Sequence, residues 1–188
     1  MKIKKQQKNT AKKSSKFIKN FNFRNRVTLS IFLLVSIILI ALQTTKIIDA
    51  KEVLQFNQNP KNYNVKLQII DNNKIITEFL VAVANDDHKK MYGLMNLDKL
   101  PQNHGMLFNF FTKRVITMWM KNTKIPLDML FIDENNKIVK IETNTTPKSL
   151  DLINSTHPVT TVLEINGGLS NKFNIKVGNT VRFPDIAM

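Results

Sequence analysis

Two carboxylates and one tryptophan-bearing segment hold most of the chemistry this sequence could perform. Trp119-Met120-Lys121-Asn122-Thr123 is followed closely by Pro126-Leu127-Asp128, and Glu164 stands in the later run PVTTVLEI. Asp128 alternates onto the strand face of Leu130 and Ile132, so a carboxylate is set among apolar neighbours and must be paired or accept hydrogen bonds there. The preferred reading has Asp128 accepting from backbone N–H groups or side chains of the Lys121-Asn122-Thr123 turn, which would pin that loop. In the alternative, Asp128, Asn122 and Lys121 face a cleft and bind a polar ligand. Glu164 shares a strand face with Thr160 and Val162, the more polar side, where a Glu is ordinarily solvated or ion-paired. Were both carboxylates to face one cleft, they could divide acid and base roles as in glycoside hydrolysis, given a suitable separation. Trp119, the only tryptophan, sits among Met118, Met120 and Phe110-Phe111 and reads first as a core anchor. Its indole N–H needs a partner when buried, so lining a half-open cleft is the second reading.

Other chemistries find little support. The histidines, His88, His104 and His157, are scattered and form no close-spaced pair, so surface or turn positions are expected and no metal site. Cysteine is absent, which excludes disulfides, thiolate zinc sites, a lipidated leader cysteine and a thiol nucleophile. No phosphate-binding glycine loop, G-x-S-x-G elbow or H-E-x-x-H helix occurs. No cofactor is expected, and the balance leans away from an enzyme. Gly93, Gly105, Gly168 and Gly178, together with Pro126, fall where elements begin or end and read as architectural.

The elements that must position these residues follow from hydrophobic period and turn residues. VKLQIID and IITEFLVAVA flank Asn72-Asn73 and predict a hairpin. Residues 86–97 predict a short helix, with Asp86 near its N-terminus and Met91, Leu94 and Met95 at helical spacing. GMLFNF, VITMWM and PLDMLFID predict three further strands; a turn at Glu134 to Asn136 leads into KIVKIE, and PVTTVLEI and TVRFP supply the late ones. Short strands at this density, with one or two short helices, predict an α+β domain, mostly antiparallel, with a small barrel-like sheet.

Ahead of that domain lies a segment of different character. Eleven of the 28 Lys and Arg fall in residues 1–50, with Asp49 as the only acid there, which leaves seventeen basic and thirteen acidic residues for the remainder. The domain is thus nearly balanced, and nucleic acid is not expected as its partner. Behind the basic stretch, VTLSIFLLVSIILIAL runs for sixteen residues without a charge, and Gln43 to Thr45 bring it near the length of a membrane span. The expected organisation is a basic cytoplasmic segment at 1–26, a transmembrane signal or anchor helix at 27–45, a linker at 46–64 and the domain at 65–188. Positive charge on the N-terminal flank predicts that the domain is exported, anchored in a bacterial inner membrane and facing the periplasm. The alternative is cleavage after Ala50, although Ile48 is larger than a small-x-small site prefers.

Lined up in order, Gly93-Leu94-Met95, Gly105-Met106-Leu107-Phe108, Trp119 to Thr123, Pro126-Leu127-Asp128 with Phe131-Ile132, and Leu163-Glu164 with Gly168 and Gly178 resemble the DUF192 family, also called UPF0127. That resemblance covers about Phe79 to Phe183 and implies a domain of unknown function, found in bacteria and archaea and often behind an export leader. Three positions depart from the family pattern: Leu97 where it usually has Arg, Met118 where an aromatic often precedes the Trp, and Asn179 where Asp follows the late Gly. A ligand contact through that cation or that anion is therefore not carried over. Two function classes follow. One is an envelope binding module for a small molecule, peptide or glycan, using Trp119, Lys121, Asn122, Thr123, Asp128 and Glu164. The other is an envelope hydrolase built on Asp128 and Glu164, which requires the two in one pocket.

Overall fold

The computed structural model describes residues 31–47, 51–52, 55 and 57–184. The chain divides into two compact units, Met1–Ile48 and Asp49–Met188. In the first, residues 31–47 form a helix, α1, whose large apolar side chains from Ile31 to Leu42 are all exposed. The expected basic segment at 1–26 lies outside the described residues, as does the start of the expected anchor at 27–30. Among the described residues no helix is long and apolar enough to cross a membrane.

The second unit is built on one sheet of seven strands, β1 (Val65–Asp71), β2 (Lys74–Ala84), β3 (His104–Arg114), β5 (Leu127–Ile132), β6 (Ile138–Glu142), β8 (Val159–Asn166) and β9 (Thr180–Arg182), in the spatial order β6-β5-β8-β3-β2-β1-β9. Two short strands, β4 (Thr117–Met118) and β7 (Ile153–Asn154), pair in a separate ribbon. Helices α2 (Asp87–Tyr92) and α3 (Leu169–Lys172) and a 3-10 turn at Pro60–Asn62 lie outside the sheets. Within the large sheet only β2 and β3 run parallel, because α2 and the loop after it carry the chain back before β3 begins. The remaining pairs are antiparallel. The sheet curls into a half-barrel whose two edges touch: Lys137, just before β6, bridges Thr180 of β9, and Gly178 N–H donates to the Ile138 carbonyl at 2.8 Å. The expected α+β domain with a curled, mostly antiparallel sheet is what folds.

Side-chain alternation divides the core into two clusters, one on each face of the sheet. The inner cluster draws on every strand of the half-barrel, from Leu67 and Phe79 through Leu107, Leu130, Leu163 and Ile165 to Ile138 and Val181. The outer cluster joins Met106, Phe108, Met129, Phe131 and Val162 to a cover of Tyr63, Leu94, Leu97, Leu100, Ile116 and Met120. Central strand β5 is therefore buried at all six positions, and Asp128 lies within it.

Several elements depart from expectation for local reasons. Asn72 and Asn73 both adopt positive φ, 46° and 65°, the twist-matched geometry of a two-residue hairpin. Helix α2 starts as expected, its N-cap Asp86 accepting from Lys89 N–H at 2.8 Å, but Gly93 at φ 47° ends it after six residues. Met91 is exposed as a result, while Leu94 and Leu97 pack from the following turns. Of the expected strand at 115–120 only two residues form one, because the Ile116 N–H is taken by the Ser155 hydroxyl. The expected linker is partly docked: Asn57 and Tyr63 are buried, the Tyr63 hydroxyl donates to the Asn57 carbonyl at 2.9 Å, and burial pushes its phenol up to about 12.

Candidate functional site

Glu164 is the unusual residue of the domain. On β8 it pairs across the sheet with Met106 on one side and Met129 on the other, both fully buried. All three side chains project from the outer face, and Glu164 itself is only 4% exposed. The expectation of a solvated or ion-paired Glu fails because the outer face is roofed by the outer cluster and is not a polar surface. Among the described residues the Glu164 carboxyl has neither a hydrogen-bond nor an ion-pair partner. Burial alone raises it from 4.5 to about 8, so at neutral pH it holds its proton.

The roof over Glu164 leaves a cavity of about 20 Å³, lined by Glu164, Phe108, Met118, Trp119, Lys121 and Thr123 together with the segment Lys90 to Met95. That is enough for about one water-sized group. Trp119 stands at its mouth at 41% exposure and is not the expected core anchor. The two-residue β4 strand stops at Met118, and Met120, fully buried, takes the core position in its place. The Lys121 ammonium lies 4.8 Å from the Trp119 ring centroid. The Lys90 ammonium lies 5.1 Å from the Phe111 ring and 5.6 Å from Phe110. Both cations are thereby held at the rim over aromatic faces.

Asp128 has the opposite surroundings. It pairs with Ile165, one position out of step with Glu164, so it projects from the inner face. Its carboxylate accepts three backbone N–H bonds, from Asn144 at 2.7 Å, Gly168 at 2.9 Å and Ser170 at 2.7 Å. Asp128 thus pins the loop after β6 and the start of α3, and the expected partner, the Lys121-Asn122-Thr123 turn, is on the other side of the sheet. The two carboxylates do not share a pocket, so the arrangement the hydrolase reading requires is missing.

The remaining residues singled out from sequence divide between site and frame. Thr123 is buried and lines the cavity, while Asn122 sits beside it at φ 57° and passes its carbonyl to Asn96 N–H at 2.9 Å, tying the tryptophan loop to the turn after α2. The Pro126 carbonyl accepts from Gly167 N–H at 2.9 Å. Gly105 is required by close approach, since a Cβ there would stand 2.7 Å from the Glu164 carbonyl oxygen. Gly93, Gly168 and Gly178 are required by positive φ. Leu97, at the position of the family's Arg, is buried in the outer cluster, and Asn179, at that of its Asp, is held by Asp71 and by Lys176 N–H. His88 and His157 are exposed, and His104 packs its ring 4.8 Å from that of Tyr63. Among the described residues no group of His, Asp or Glu is placed to hold a metal ion. Sequence reasoning missed Lys90, Phe108 and Met118 as lining residues. Phe108 had a signal, since it follows Met106 by two on the same strand face; Lys90 had none.

Comparison with known proteins places this geometry in a family context. Residues 68–183 match the family model DUF192, described as an uncharacterized ACR. Among solved structures, a protein of Sinorhizobium meliloti 1021 described as a candidate transcription regulator is 34% identical with a TM-score of 0.63, covering 65% of this chain and 95% of that one. A protein of unknown function from Novosphingobium aromaticivorans DSM 12444 is 29% identical with a TM-score of 0.60, covering 63% of this chain and 84% of that one. Among curated proteins, none matches the chain.

Proposed function

The chain belongs to the DUF192 family, and we propose that this member is a membrane-anchored envelope domain that binds a small molecule, peptide or glycan at the cavity under Trp119. The observation that carries the binding reading is Glu164, a buried carboxyl with no partner among the described residues, facing a cavity whose walls include Phe108, Met118, Trp119 and Thr123. A buried polar group left unmatched is costly to the fold, about 1–3 kcal/mol, and a ligand that hydrogen-bonds to it recovers that loss. The anchor reading rests on the uncharged run behind ten basic residues and on the all-round apolar exposure of α1. It sets the domain in the periplasm of a bacterial inner membrane.

Two measurements test these readings. Trp119 emission of the full-length protein, titrated with representatives of the three ligand classes, is expected to respond to one of them. Glu164→Leu should weaken that response at least tenfold, and silence to all three removes the binding reading. Fractionation with alkaline extraction is expected to leave the protein in the membrane pellet. Recovery of a soluble product beginning near Lys51 removes the anchor.

A further inference from the structure

The charges around the cavity define its ligand further. Among the described residues Glu164 is the only acid in the lining, and Lys90 and Lys121 are its cations; neither makes an ion pair with Glu164. We propose that the cavity receives an ionised carboxylate group of its ligand, to which the Glu164 carboxyl donates its proton in a hydrogen bond while Lys90 and Lys121 supply the countercharge. The proposal rests on the binding reading above and names the chemistry of the bound group.

Three features support it. The cavity, about 20 Å³, has room for about one carboxylate oxygen, which keeps a ring or a trimethylated ammonium from its depth. The walls next to Glu164 are Phe108, Met118 and Trp119, fit for the carbon chain that carries such a group. The two cations of the lining, Lys90 and Lys121, disfavour an amine and attract a carboxylate. The groups facing Glu164 from each packed element are few: Lys90 and Tyr92 from α2, and Lys121 from the tryptophan loop. The neighbouring strands present only Met106, Phe108 and Met129. With its carboxyl titrating near 8, Glu164 is about 90% protonated at pH 7 and about 10% at pH 9. If only the protonated form accepts a carboxylate, the apparent affinity falls about tenfold between those pH values.

The test uses Trp119 emission of the full-length protein with propionate, n-propylamine, trialanine and trialanine amide as probes. Propionate and trialanine are expected to bind and the amide and amine not to; the tighter of the two acids tells a free small acid from a peptide C-terminus. The affinity for propionate should drop about tenfold from pH 7 to pH 9 in the wild type and stay level in Glu164→Gln, which keeps a neutral donor. Lys90→Gln and Lys121→Gln, both at the rim, should each weaken it several-fold. Binding of propylamine in place of propionate, or an equal pH dependence in Glu164→Gln, overturns the carboxylate assignment and leaves the binding reading standing. Silence to all four probes overturns the carboxylate assignment.

Discussion

Replacing Glu164 by Gln should change how the stability of the domain depends on pH, whatever the cavity binds. In the unfolded chain this carboxyl titrates near 4.5, and in the fold burial holds it near 8. Between those values the folded protein keeps a proton that the unfolded chain has released, so rising pH favours unfolding. The contribution is fully present below 4.5 and is lost as pH climbs through about 8. At 1.36 kcal/mol for each pH unit, the wild type loses about 3 kcal/mol between pH 4.5 and 7 on account of this one residue. In a domain of this size that is roughly 10 °C in Tm. Gln cannot ionise and loses none of it. Its own buried amide shifts the whole curve by a constant, so the informative quantity is the difference in slope between the two proteins. Urea unfolding of the full-length chain, followed by Trp119 emission from pH 4.5 to 8, measures that difference. Parallel curves would show that Glu164 finds a partner or water in solution, and the premise of an unmatched carboxyl would fall.

Four other substitutions probe the frame. Asp128→Asn replaces one accepting oxygen by an amide that confronts backbone N–H groups, and should cost about 3 kcal/mol in urea unfolding; a change under about 1 kcal/mol would refute its role as a hub. Gly105→Ala places a Cβ 2.7 Å from the Glu164 carbonyl and should destabilise by about 1–3 kcal/mol. Gly168→Ala, with nothing within 4 Å of its Cβ but a φ of 84°, should cost about 1 kcal/mol by backbone strain alone, so a reversed order in thermal melts contradicts the close approach of β3 and β8. Tyr63→Phe removes one bond to the docked segment at Asn57 and is expected to cost about 1 kcal/mol, with faster amide exchange confined to residues 57–63 as the confirming signature.

How much of this was legible in the sequence depended on whether a residue's surroundings come from its own strand. The Asn72-Asn73 hairpin, the strands around Phe108, Met129 and Leu163, and the start of α2 at Asp86 all follow from turn residues and a period of two. The end of α2 was less legible, since Gly93 stops a helix whose apolar spacing runs on to Leu97. The parallel pairing of β2 and β3 was not legible, because strand direction is set by how the intervening loop packs. Site residues behaved in the same way. Trp119, Lys121, Thr123 and Glu164 were chosen for their types and do line one cavity. The burial of Glu164 is not legible, because alternation tells which face a side chain takes and is silent about what covers that face. Thr160 and its neighbours made the outer face of β8 look polar, whereas Leu94, Leu97 and Met120, drawn from two distant loops, roof it.

Asp128 and Glu164 make the same point within a single strand pair. They are offset by one position across β5 and β8 and so emerge on opposite faces of one sheet. On the inner face, Asp128 meets the chain at Asn144 and at the start of α3, where backbone N–H groups without partners in strand or helix converge on it. On the outer face, Glu164 lies between Met106 and Met129, and none of the donors that line its cavity bonds to it. Two residues of the same chemistry thus divide into one whose bonds are all made within the fold and one whose bonds are all open. Full satisfaction leaves Asp128 nothing to offer a ligand, while the Glu164 carboxyl, open to its cavity, can still bond to an occupant. A comparison of the two variants with a bound carboxylate separates these roles: ligand should raise the Tm of Asp128→Asn by as much as it raises that of the wild type, and should raise that of Glu164→Leu not at all.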